Sequence, residues 1–203
     1  MKQILTKFSS LFEDEGWLPK GEFESVDFRS LEGTRCYCDP AAEQIITERF
    51  AEYPLSAIHW IDGGDFHYLS ALWLRHLKKP ARLVLLDNHP DNQPPALSPD
   101  ILSCGSWMLE AERNPMVRED ANSIYFSLDL DILAPEFFRT NWDQGQMSLQ
   151  ELLDKISETI EGKEIAGIDI CGGITLEQGA SAEDFAINRK TRSILEDYFS
   201  SLK

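Results

Sequence analysis

The sequence predicts an α/β protein with a mainly parallel sheet covered by helices on both faces. Three observations carry this expectation. Short apolar runs at residues 57–61, 83–86 and 124–128 are each long enough for one buried strand. Segments with helical apolar spacing or capping signals alternate with them, the order expected of βαβ units. Each of the three runs also breaks off into acids or imidazoles, and in open parallel sheets chemistry gathers beyond the carboxyl ends of the strands.

Taken in order, Lys2 to Glu15 reads as an amphipathic helix stopped by Gly16, with a turn through Pro19-Lys20-Gly21. Phe23 to Phe28 alternates weakly and suits an edge strand. Asp39-Pro40 is a helix entry, Asp as N-cap and Pro at the first helical position, and the helix runs towards Tyr53 and ends before Pro54. Strand 57–61 follows, then Gly63-Gly64 and a helix beginning near His67, whose Tyr68, Leu69, Leu72, Trp73 and Leu77 mark a core face. Strand Leu83 to Asp87 leads into a loop punctuated by Pro94-Pro95 and Ser98-Pro99. A short helix is expected over Ser106 to Arg113 and a strand over Ile124 to Asp131. Ser148-Leu149-Gln150-Glu151 is a capping box opening a helix to about Glu161. Ile165 to Cys171 is a further buried strand, and a weaker box at Ser181–Asp184 precedes the last helix, with Phe185, Ile194, Leu195 and Tyr198.

The bulk numbers narrow the function classes. At 203 residues the chain is read as one domain, 1–203, with 42% hydrophobic residues and no disordered stretch. No apolar run approaches the ~20 residues that span a bilayer, and no export signal is visible, which places the protein in the cytoplasm. The four cysteines are accordingly expected as free thiols. A net charge of −16 excludes nucleic acid and anionic membrane as partners and favours a cationic small molecule.

The chemistry concentrates in Asp87-Asn88-His89-Pro90-Asp91, three potential ligands at every second position directly after a strand, and in Asp129-Leu130-Asp131. In an extended segment, Asp129 and Asp131 leave from the same face. With His67 they make two imidazoles and four carboxylates, an oxygen-rich set suited to a divalent ion such as manganese and unlike a thiolate zinc site. Six ligands are too many for one open catalytic ion. Two ions about 3.5–4 Å apart would use them all, and their charge would make four crowded carboxylates tolerable. His59 and His76 are read as ordinary structural histidines.

These segments resemble a known family. Asp87-Asn88-His89-Pro90-Asp91 looks like the Asp-Ala-His-x-Asp motif of the ureohydrolases (arginase, agmatinase, formiminoglutamase). Ser127-Leu128-Asp129-Leu130-Asp131 looks like their Ser-x-Asp-x-Asp motif. Gly63-Gly64-Asp65-Phe66-His67 resembles their Gly-Gly-Asp-His motif with Phe66 inserted. The resemblance implies the three-layer α/β/α sandwich of the arginase–deacetylase fold and two Mn2+ ions. Asp87 and Asp129 would bridge them, His67 and Asp91 would complete one ion, and His89 and Asp131 the other. It implies hydrolysis of a carbon–nitrogen bond in a small linear amidine or guanidino compound, with Asp91 holding and then accepting a proton. It also implies a homo-oligomer, an expectation the shortness of the chain weakens.

Several positions depart from the family. Cys104 stands where arginase has a proton-shuttling histidine, and a thiol there could move a proton. Gly172 stands where the family has a guanidinium-binding Glu, leaving Asp169, Glu177 or Asp143 as substitutes. Gln93 replaces a substrate-binding Asn, and Ala134-Pro135 replaces an Asp-Pro. Asn141, Trp142 and Asp143 lie in a loop expected to wall the pocket. Two other readings stay open: a deacylase of the same fold holding one Zn2+, and a metal-binding protein without catalysis.

Overall fold

The computed structural model describes residues 1–98 and 100–201. Its centre is a six-stranded sheet in which every pairing is parallel, ordered β2-β1-β4-β8-β7-β5. The strands are β1 (Lys2–Lys7), β2 (Phe23–Asp27), β4 (Ala57–Trp60), β5 (Ala81–Leu86), β7 (Ser123–Asp129) and β8 (Glu164–Cys171). A separate antiparallel pair joins β3 (Tyr37–Cys38) to β6 (Leu102–Ser103). The helices are α1 (Leu11–Glu15), α2 (Pro40–Phe50), α3 (Leu69–Leu74), α4 (Trp107–Arg113), α5 (Leu149–Ile160) and α6 (Ala182–Ser201).

Alternation along the strands divides the core into two layers, because successive side chains leave a strand on opposite faces. Ile4, Ala57 and Tyr125 pack with Ile46 and Phe50 of α2, Leu72 and Trp73 of α3 and Trp107 of α4. Leu5, Ile58 and Phe126 face the other way, against Leu152 and Ile156 of α5 and Leu195 and Phe199 of α6. The chain is therefore the three-layer α/β/α sandwich that the sequence predicts. The capping signals act as read. Asp39 accepts from the Ala42 amide, and Ser148 and Glu151 form a reciprocal box. Ser181 and Asp184 do the same at α6.

The opening helix is a correction. Residues 2–7 form β1, and only Leu11–Glu15 is helical, closed by Gly16 in the left-handed conformation at φ 62°. β1 lies between β2 and β4, so adjacent Ile4 and Leu5 are both buried, one in each layer. A strand covered on both faces shows no alternation, and Ile-Leu flanked by polar residues then mimics a helical face. Gln3 is buried as well, accepting from the Trp60 indole and donating to Glu196. Strand β7 is also shorter than expected. It ends at Asp129, and residues Leu130–Ile132 form a 3-10 turn capped by the Asp129 carboxylate.

α6 is tied to the rest by a fully buried ion pair, with Arg192 Nε 2.6 Å from Glu15 Oε2. The guanidinium also lies over the Phe12, Trp17 and Phe138 rings and donates to the Gly172 carbonyl. That contact anchors the turn after β8, next to the strand tips.

Candidate metal centre

The carboxyl ends of β4, β5 and β7 converge on one cavity of about 290 Å³. His67, Asp87, His89, Asp91, Asp129 and Asp131 all line it, so the six expected ligands come together. Among the described residues two groups have ligand atoms within 4.8 Å of one another: His67, Asp87 and Asp91, and Asp87, His89 and Asp131. Asp87 belongs to both.

Each side chain is aimed by local backbone chemistry. Asp87 Oδ1 accepts the His89 amide at 2.6 Å, a tight turn that brings the imidazole back over the strand tip. Asp91 is left-handed, at φ 44°, a conformation that Asp tolerates better than most residues. It is pinned there by the Trp107 indole, which donates to Oδ2 at 2.6 Å, and by the Met108 amide, which donates to its carbonyl. Asp131 reaches the site from the 3-10 turn and not from an extended segment. The reason is that Asp129 Oδ1 takes the Asp131 amide at 2.9 Å, turning the chain and leaving Asp129 Oδ2 towards His67, 3.5 Å from Nδ1.

His67 follows a 3-10 turn at Gly64–Phe66, two residues ahead of α3. Its Nε2 meets Ser127 Oγ at 3.0 Å, and Ser127 donates its only proton to Asp169 Oδ1 at 2.6 Å. Ser127 therefore accepts from His67 Nε2–H, which leaves the Nδ1 lone pair facing the acids. Nδ1 lies 3.1 Å from both Asp87 Oδ2 and Asp91 Oδ2, yet is buried without a hydrogen-bond partner. An unpaired lone pair amid carboxylate oxygens is what a cation between them would satisfy.

The electrostatics point the same way. Burial drives Asp129 well above the usual carboxylate range, with Asp131 adding to it. Burial and the neighbouring Asp87 push Asp131 up to about 8. Burial would lower His67, but the Asp87 and Asp91 carboxylates beside Nδ1 outweigh it and raise the imidazole well above its ordinary value. Asp87 moves the other way, the His67 contact overcoming its burial. Crowded acids must take up positive charge, as protons or as cations, and metal binding displaces the protons. The donor set, oxygen-rich with two imidazoles and no sulfur among the ligand groups, fits hard-to-borderline divalent ions.

Around the ligands the cavity carries no further charge; Gln93, Cys104, Cys36, Tyr37, Ser103 and Trp142 are among its walls. Asn141 and Asp143 stand outside this lining. Asn141 gives its amide to Asp65, and the Asp143 carbonyl accepts from Asn88. The loop's contribution to the wall is Trp142, whose indole donates to Asp65 Oδ1. Gly64 makes room for it, since a Cβ there would lie 2.8 Å from Trp142 Cδ1.

The substitutes for a guanidinium-binding carboxylate are not in place. Asp169 is fully buried on Ser127, and Glu177 and Asp143 are exposed and outside the lining. Gly172 itself sits at φ 115°, where a Cβ would come within 3.0 Å of Asp129 Oδ1, so a longer side chain is excluded by backbone and space together. Burial raises the Cys104 thiol to about 12, and it is held protonated. His59 lies in the core, stacked on Trp73.

Sequence reasoning gave no role to Asp65 or Ser127 and a wrong one to Asp169. Asp65 pins the pocket wall, also accepting from Arg35. Ser127 and Asp169 are direct partners in the β7–β8 register.

No protein-family model matches the chain. An uncharacterized protein from Thermotoga maritima is 26% identical, the match covering 81% of this chain and 77% of that one. Arginase from Entamoeba histolytica, solved with L-ornithine, superposes with a TM-score of 0.67 at 12% identity, covering 98% of this chain and 97% of that one. Formiminoglutamase from Trypanosoma cruzi, solved with Mn2+, superposes with a TM-score of 0.61 at 11% identity, covering 97% and 93%. The fold is thus that of the ureohydrolases, the class of hydrolase whose motifs the strand tips resemble. Among the described residues no helix is long and apolar enough to cross a membrane.

Proposed function

We propose that this chain is a divergent ureohydrolase, a hydrolase with a binuclear manganese centre that cleaves a carbon–nitrogen bond of a small linear amidine or guanidino compound. The observation that carries this reading is Asp87 shared between two ligand groups, with the unpaired His67 Nδ1 turned into one of them. His67 and Asp91 would hold one ion and His89 and Asp131 the other, with Asp87 and Asp129 between. When bound, such a pair supplies Lewis acidity that brings the pKa of water towards ~7 and polarises the scissile group.

The protein's own groups do the rest. Asp91 accepts the proton of the attacking water, its Oδ2 oriented by the Trp107 indole. Cys104, neutral and on the cavity wall, stands as the donor to the departing nitrogen. Gln93 and the Trp142 face bind the remainder of the substrate, and the net charge of −16 draws a cation towards the cavity. The excluded side chain at Gly172 makes arginine a poor substrate, because no paired carboxylate awaits its guanidinium.

That same absence favours one second reading, a metal-binding protein without catalysis. Elemental analysis of manganese-loaded protein, joined to a screen of amidine, formimino and guanidino compounds for released ammonia or urea, decides between them. Two ions per chain with turnover supports the hydrolase. Two ions and no release across the panel leaves the binding protein, and a single zinc points to the deacylase arrangement.

A further inference from the structure

Two thiols on the cavity wall take no part in the ligand cluster. The β3–β6 register pairs Cys38 with Leu102 and Tyr37 with Ser103, so one step further along the ladder Cys36 stands opposite Cys104. The Cys104 amide donates to the Cys36 carbonyl at 3.0 Å, which extends the pairing to these residues. Directly opposed residues on an antiparallel pair lie about 4.5–5.5 Å apart at Cα. That separation falls inside the ~4.4–6.8 Å over which a disulfide closes. Both thiols are free, both are partly accessible, and both line the cavity. Cys36 is left-handed at φ 59°, a conformation uncommon for a side chain of this kind, and it is held there by its own amide donating to the Asp65 carbonyl.

We propose that Cys36 and Cys104 form a dithiol site at the cavity wall that is oxidised to an intramolecular disulfide by a low-molecular-weight disulfide. The Cys36 sulfur attacks one sulfur of the small disulfide, a mixed disulfide forms, and the first small thiol leaves. Cys104 then attacks the Cys36 sulfur and expels the second small thiol. The two protein thiols lose two electrons and two protons, and the two small thiols gain them. Cys38, two positions along the chain from Cys36, is fully buried, and Cys171 is fully buried elsewhere, so neither competes. Burial keeps both reacting thiols protonated, so the exchange is slow at neutral pH and faster in mild alkali. The link would staple the β3 and β6 segments beside Asp91 and remove the Cys104 proton from the cavity.

The test is independent of any hydrolysis. The full-length protein is incubated with oxidised glutathione at mildly alkaline pH, and intact mass and unreduced peptide maps are recorded. The expected result is a chain two hydrogens lighter, one cross-linked peptide joining Cys36 to Cys104, two fewer titratable thiols after denaturation, and full reversal by dithiothreitol. Cys36→Ser and Cys104→Ser should each gain a single glutathionyl group and no link. Four thiols surviving prolonged exposure, separate glutathionyl groups on both cysteines of the unmutated chain, or a link mapping to another pair would each overturn the assignment.

Discussion

Ser127 offers the sharpest test of how the centre is held. It is fully buried on β7 and donates to Asp169 while accepting from His67, so it fixes both the ring orientation and the tautomer that exposes Nδ1. Ser127→Ala removes that restraint and touches no ligand atom. Removing the partner behind a ligating histidine lowers metal affinity by about 10–100-fold, which corresponds to about 1.4–2.7 kcal/mol. Without metal, the variant also leaves His67 Nε2 and Asp169 without their partner, at about 1–3 kcal/mol for each unsatisfied buried group. Two readouts separate these effects. Calorimetric titration of manganese into chelator-stripped protein reports the affinity, and thermal melts with and without manganese report the stability, where 1 kcal/mol moves the midpoint by about 2–4 °C in a chain of this size. Ser70→Ala is the control. Its hydroxyl touches Ser127 Oγ at 3.2 Å and makes no hydrogen bond to the imidazole, so manganese affinity should change little. Manganese binding unchanged within twofold in Ser127→Ala would refute the relay, and so would a larger loss in the control.

Two further predictions concern the scaffold. Arg192→Met should cost about 3–5 kcal/mol in urea denaturation, because Glu15 is left charged and fully buried; adding Glu15→Gln should recover a large part of the loss. His59 gives a pH signature. Burial, with a smaller push from His76, lowers it to about 3 in the folded chain, while Nε2 donates to the Pro54 carbonyl and Nδ1 faces the Tyr125 hydroxyl. Its folded pKa lies below its unfolded value, so the unfolded chain binds the extra proton. The stabilisation is complete above about pH 6.5 and is lost towards pH 3, at up to about 1.4 kcal/mol per pH unit. In urea titrations from pH 7 to 4.5, His59→Gln should show a slope smaller by up to that amount, and an identical slope would contradict the assignment.

What could be read without coordinates follows one physical line. A buried strand ends where its apolar run ends, so Asp87 and Asp129 were legible at the tips of two such runs. His89 and Asp91 were legible as ligand-type residues close behind, although a tight turn and a left-handed residue, not strand periodicity, deliver them. Asp131 was found for a partly mistaken reason, since the turn that delivers it is made by the Asp129 side chain and not by strand periodicity. β1 was missed because its identity lies in its neighbours. Ile4 and Leu5 enter different layers only once β2 and β4 flank the strand. The supports behind the ligands share that dependence on register. Ser127 meets Asp169 because β7 and β8 align at that pair, Cys36 meets Cys104 because β3 and β6 do, and Asp65 meets Trp142 only when a loop 77 residues away folds over it. Ligand atoms are therefore a local property of the chain, whereas the groups that set their tautomer, charge and rigidity belong to the sheet order. For that reason a substitution at Ser127 or Asp65, silent in any reading of motifs, should disturb this centre more than many substitutions beside the ligands themselves.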